Sequence, residues 1–97
     1  MHILNSFQKI WYLYLLECQD GSIYTGIALD VYARFKLHQS GKGARYTRSH
    51  RPLCLLAVAE FADRASAQRA ECQLKRCSAD RKREIAVQLS QGKSVCL

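Results

Sequence analysis

The chain has 97 residues, enough for one domain and too few for two, and 48% of them are hydrophobic. That apolar share excludes a disordered chain. Fifteen Lys and Arg against eight Asp and Glu leave a net charge of +7, which favours a polyanionic partner, nucleic acid first. No basic amphipathic helix with a bulky apolar face is present to favour a membrane surface instead.

Residues 1–9 read as a short polar lead-in. Two strands are predicted next, over 11–18 and 22–27, joined at Gln19-Asp20-Gly21. The first is apolar at both parities, with Trp11, Leu13 and Leu15 against Tyr12, Tyr14 and Leu16. That pattern suits a central strand covered on both faces. The run Trp11 to Leu16 is far too short to cross a bilayer, and no signal-peptide cleavage pattern follows it. Asp30 can cap a helix over about 31–40, with Val31, Phe35 and His38 on one side. Gly41-Lys42-Gly43 stops it, and Ala44 to Pro52 reads as an Arg-rich loop. A third strand, apolar on both faces, is expected over about 53–61. Asp63 then caps a helix over about 64–77, whose stripe Ala67, Ala70, Leu74 and Cys77 keeps core-facing spacing. Ser78 caps a last helix over about 79–90 with Ile85, Ala86 and Leu89 inward. Residues 91–97 read as a frayed tail. The expectation is a single α+β domain with its core at about 11–90 and the order β-β-α-β-α-α.

Five cysteines, Cys18, Cys54, Cys72, Cys77 and Cys96, form no CxxC pair and keep no zinc-finger spacing. They read as reduced thiols in a soluble, cytoplasmic protein.

Tyr14 lies in the first predicted strand and Tyr24-Thr25-Gly26 in the second. Arg34 and His38 are four apart on one helix face, and Glu71 borders the apolar stripe of the following helix. Singly, each has an ordinary reading: strand tyrosines, a surface Arg, a half-buried His, a Glu paired with Lys75 at i+4. Jointly, their order and spacing resemble the GIY-YIG nuclease family. Tyr12-Leu13-Tyr14 stands for the first motif and Tyr24-Thr25-Gly26 for the second, and the segment from Gly41 to Ala44 with its Arg-rich sequel is similar to the small stand-alone bacterial members. The resemblance runs from about residue 11 to 85. The chain departs from the family pattern in lacking the Gly-Ile of the first motif, in carrying Ile27 where many members have a lysine, and in having no asparagine after Glu71.

The resemblance implies a small three-stranded antiparallel sheet flanked by helices and a metal-dependent endonuclease acting on DNA, structured or repair-related. It implies one divalent cation, Mg²⁺ or Mn²⁺, held mainly by Glu71, because a hard cation can be held by one carboxylate plus substrate phosphate and waters. Tyr14, Tyr24, Arg34, His38 and Glu71 become the candidate catalytic residues. Arg34 would clamp phosphate, Tyr24 would orient or deprotonate the attacking water with Tyr14 as helper, and His38 would relay a proton or bind phosphate. Two other functions compete: a non-cleaving nucleic-acid-binding module of the same fold, and an interaction domain docking an acidic protein.

Around these residues the chain is basic. Lys36, Lys42, Arg45, Arg48 and Arg51 could track phosphates of DNA in preference to RNA, and Tyr46 could stack on a base. Arg81, Lys82 and Arg83, at a helix start where positive charge opposes the macrodipole, are a second candidate contact. The hairpin register tests the shared site. A two-residue Asp20-Gly21 turn would send Tyr14 and Tyr24 to opposite faces. The functional reading therefore predicts a three- or five-residue turn with Gly21 at positive φ.

Overall fold

In the computed structural model, residues 9–90 are described. The expected lead-in and tail therefore lie outside the described residues, apart from Lys9. Three strands form one antiparallel sheet in the order β2-β1-β3: β1 (Trp11–Cys18), β2 (Ile23–Ala28) and β3 (Pro52–Phe61). Four helices accompany it: α1 (Val31–Gln39), α2 (Arg45–Ser49), α3 (Arg64–Lys75) and α4 (Ala79–Ser90). The α+β class and the three-stranded sheet agree with the sequence reading. The element order is β-β-α-α-β-α-α, because residues expected to form an Arg-rich loop contain α2.

The β1–β2 connection decides which side chains meet. Cys18 N–H donates to the Ser22 carbonyl at 2.9 Å and Gly21 N–H to the Cys18 carbonyl at 3.0 Å. Gln19, Asp20 and Gly21 thus form a three-residue turn, with Gly21 at φ +86°. Asp20 secures it by accepting from the Ser22 N–H at 3.1 Å and the Ser22 hydroxyl at 2.6 Å. In the resulting register Tyr14 faces Gly26 and Leu16 faces Tyr24, so both tyrosines point to one face.

β1 is central and buried on both sides. Leu13 and Leu15 join Ile23, Ala57, Leu74 and Ala86 under α3 and α4. On the other face Tyr14 and Leu16 join Ala28, with Val31 and Phe35 of α1 packed on them. β3 is an edge strand with Leu53 53% exposed, so the expected two-sided burial holds only in part; bulges against it fall at Leu15/Leu16 and Glu17/Cys18.

The helices start where their capping residues stand. Asp30 accepts from Ala33 N–H at 3.0 Å, Asp63 from Ser66 N–H at 2.8 Å, and Ser78 from Arg81 N–H at 3.1 Å. Cys18, Cys72 and Cys77 are free thiols. Cys54 is disulfide-bonded, which corrects the reading of every cysteine as reduced, and Cys96 lies outside the described residues. Among the described residues no helix is long and apolar enough to cross a membrane.

Candidate active site

The face of the sheet carrying Tyr14 and Tyr24 is closed by α1 and α2. The two phenol rings lie 6.3 Å apart. Tyr14 crosses the main chain of Gly26 so closely that a Cβ there would stand 2.5 Å from its hydroxyl oxygen. The second motif's glycine is therefore a requirement of the ring above it.

His38 projects from the buried side of α1 and is 1% exposed. Its ring is 5.9 Å from that of Tyr14 and 4.9 Å from that of Tyr24. Thr47, buried on α2, favours one tautomer. Its single hydroxyl proton goes to the Ala44 carbonyl at 3.0 Å, so its oxygen accepts from His38 Nδ1–H at 2.7 Å. The Ala44 N–H, 3.4 Å from that nitrogen, makes a longer and weaker contact than the Thr47 hydroxyl. Nε2 is then unprotonated and accepts from the Tyr14 hydroxyl at 2.8 Å. Burial, aided by the nearby Arg34 guanidinium, pushes the His38 pKa down to about 4. The imidazole is neutral at physiological pH and has a lone pair aimed at a phenol.

Burial raises Tyr14 to about 12; neighbouring Tyr24 and Glu71 add to the rise and Arg34 opposes it. Tyr24, partly exposed, is also raised by burial, but Lys75 and Arg34 pull it back. Both phenols are thus protonated at neutral pH. The same two tyrosines feel Arg34 from α1 and Glu71 from α3, so five residues from four elements share one electrostatic neighbourhood.

Glu71 arrives there by an unexpected side. α3 packs through Ala67, Ala70 and Leu74 on the Leu13–Leu15 face, opposite the tyrosines. β2 is an edge strand, and around that open edge Glu71 acts on both tyrosines and Lys75 on Tyr24. The Glu71 side chain is 19% exposed and forms an ion pair with Lys75 at 3.2 Å. The surface pair and electrostatic influence on the site are compatible, since the charges of both side chains are felt at Tyr24.

No three His, Cys, Asp or Glu side chains converge as a metal cage among the described residues. What would fit a divalent cation is the lone Glu71 carboxylate, a hard oxygen donor of the kind that suits Mg²⁺ or Mn²⁺ completed by substrate and water.

The basic residues divide by location. Lys42, Arg45, Arg48 and Arg51 are exposed on and around α2, next to the site. Lys36 is exposed on α1, its ammonium 4.7 Å from the Tyr32 ring centroid. Tyr46 is 38% exposed, stacks on His50 at 3.9 Å, and lies 5.9 Å from Tyr24. On α4, Lys82 is buried and donates to the Ile23 carbonyl at 3.0 Å. Arg81 pairs with Glu84 at 2.9 Å, and Arg83 spans Gly21 O at 2.5 Å and Glu17 at 3.4 Å. The α4 cluster is largely bound within the fold. Thr47, Gly26 and Lys75 also belong to the neighbourhood. Gly26 carried a signal as the end of the Tyr-x-Gly motif and Lys75 as the i+4 partner of Glu71; Thr47 carried none.

The GIY-YIG catalytic domain matches residues 10–84. The chain is 50% identical over 86 residues to a UPF0213 protein of Cupriavidus pinatubonensis, covering 89% of this chain and 96% of that one. It is 54% identical over 74 residues to a UPF0213 protein of Xanthomonas axonopodis pv. citri, covering 76% and 72%. The solution NMR structure of the UPF0213 protein BH0048 from Bacillus halodurans is similar at TM-score 0.51 and 47% identity, over 86% of this chain and 87% of that one. The family match spans most of the sheet and helices that converge on Tyr14, Tyr24, Arg34, His38 and Glu71, and the chain belongs to the GIY-YIG domain family.

Proposed function

We propose that the protein is a divalent-metal-dependent endonuclease that hydrolyses phosphodiester bonds of DNA in the cytoplasm. One observation carries this reading: two tyrosines, a neutral histidine, an arginine and a glutamate from separate elements share one neighbourhood beneath an exposed basic segment. Such a set suits phosphate chemistry better than any other reaction class.

Arg34 holds two phosphate oxygens with its planar fork and remains charged at any working pH. Glu71 is the residue that would hold Mg²⁺ or Mn²⁺. A cation bound there would neutralise charge on the phosphate and its leaving oxygen. Tyr24, the more accessible phenol, orients the attacking water. Tyr14 is buried behind it and keeps its proton, hydrogen-bonded to His38 Nε2, which holds the phenol in place beside Tyr24. Lys42, Arg45, Arg48, Arg51 and Lys36 contact phosphates outside the centre, and Tyr46 stacks on a base.

The test uses labelled single-stranded, duplex and branched DNA with Mg²⁺, Mn²⁺ or EDTA. Cleavage should need the metal and fall at least about 100-fold in Glu71→Gln, while DNA binding is retained. Cleavage that survives Glu71→Gln would sink the assignment. The Glu71–Lys75 ion pair at 3.2 Å favours one alternative, a non-cleaving nucleic-acid-binding module in which that carboxylate is purely structural. Binding without cleavage in any metal would support it.

A further inference from the structure

Where α3 meets the open edge of β2, a cavity of about 360 Å³ is lined by Ile23, Tyr24, Thr25, Tyr46, Lys75 and Lys82. Tyr24 and Thr25 point to opposite faces of β2, so the cavity wraps the strand edge. Apart from Tyr24 it uses none of the five residues assigned to the chemistry.

Its walls carry three kinds of group. Tyr24 and Tyr46 offer adjoining aromatic faces inclined at 30°, and the stack on His50 holds Tyr46 in place. Lys75 and Lys82 bring two ammonium groups near each other. Burial pushes the Lys82 pKa down, and the charge of Lys75 adds a smaller push in the same direction. Lys75 pairs with Glu71 at 3.2 Å, but its side chain stays 55% exposed, leaving ammonium protons for a further anion. Thr25 supplies the third kind. It is 2% exposed, and its hydroxyl is a buried side-chain polar atom with no hydrogen-bond partner. Buried polar groups are almost always satisfied. A valine would fill the same space on a β-strand with no hydroxyl left unpaired.

We infer that this cavity is a nucleotide subsite, taking one unpaired nucleotide beside the scissile phosphate, with its base against Tyr46 and Tyr24, its phosphate at Lys75 and a polar edge at Thr25. The word scissile rests on the nuclease reading above; the binding does not. A base stacked within a duplex has no free face to offer two tyrosines, whereas an unpaired one does. The substrate class that follows is DNA with an unpaired segment, such as a flap, gap or single strand, in preference to intact duplex.

The full chain, without metal, is titrated with deoxythymidine 5′-monophosphate and followed by ¹H–¹⁵N chemical shifts. Saturable shifts should centre on Thr25, Tyr46 and Lys75. Lys75→Ala should weaken binding about 10-fold, as expected for a lost charge-assisted contact. Tyr46→Leu should also weaken it about 10-fold through lost stacking. Thr25→Val should weaken it roughly 3-fold or more while leaving the melting temperature unchanged or raised, because no intramolecular hydrogen bond is lost. A purely structural Thr25 would leave binding unmoved, and that result overturns the proposal. So does inorganic phosphate binding as tightly as the nucleotide, or shifts centred near Trp11 and Arg64. The probe is neither cleaved nor metal-dependent, so failure here leaves the cleavage reading standing, and failure to cleave leaves this result standing.

Discussion

The Tyr14 ring lies across Gly26, and its hydroxyl is bonded to His38 at 2.8 Å on the far side. It therefore has little room to retreat. In Gly26→Ala the new Cβ would meet Tyr14 Cζ at 2.6 Å and Tyr24 Cε2 at 3.0 Å. The expected cost is about 1–3 kcal/mol, the range for an overpacked core. Cleavage should fall much further, by about 100-fold, because a small displacement of a positioned group carries that penalty. Urea melts and cleavage rates measured side by side decide it; near-normal cleavage in the variant would remove the tyrosine pair from the chemistry. His38 makes a second prediction. Its folded pKa of about 4 lies below the ordinary 6.5, so the fold favours the neutral ring. That stability is complete above pH 6.5 and is lost as pH falls toward 4, by up to about 3 kcal/mol. In His38→Gln the urea midpoint should drop less between pH 7 and pH 4.5 than in the wild type. Parallel drops would mean that the ring is not held neutral.

At the scale of elements, what the sequence made legible were the parts with local chemical punctuation. Asp30, Asp63 and Ser78 mark three helix starts because their side chains cap backbone N–H groups. Asp20 and Gly21 mark the turn, and requiring both tyrosines on one face selected its length. α2 carried no such mark. Its N-cap is Ala44 with no side-chain hydrogen bond, and it spans five residues rich in charge. What stabilises it is tertiary: Thr47 buried against His38, and Tyr46 stacked on His50. Local reading could not see these contacts, and so it also missed Thr47 as the residue that favours one His38 tautomer. The cap on α1 is open to direct test. This helix has one buried residue, His38, and so leans on its cap. Asp30→Ala should cost about 1 kcal/mol and speed amide exchange selectively over 31–39. Unchanged exchange there would show that packing of Val31, Phe35 and His38 suffices.

For the whole molecule, the net charge of +7 pointed to a polyanion but could not say which charges are available. The fold divides them. Lys42, Arg45, Arg48 and Arg51 stand exposed around α2 on the tyrosine side. Arg81 lies over the opposite face, where it borders Leu13, Leu74 and Ile85 and pairs with Glu84 at 2.9 Å. A count taken along the chain weighs both sets equally, whereas the sheet puts them on opposite sides of a core about one strand thick. If the α2 segment tracks the phosphates, the logarithm of duplex affinity should fall with the logarithm of salt concentration at a slope of about −4, near 0.9 for each of four contacts. Arg48→Gln should make that slope shallower by about 1 and weaken all sequences alike. Arg81→Gln should leave the slope unchanged and alter affinity little, since an exposed i,i+3 pair contributes under about 1 kcal/mol even to stability. The reverse ranking, with Arg81 carrying the salt dependence and Arg48 none, would put DNA on the α4 side, where its backbone could not also reach Arg34 past the core.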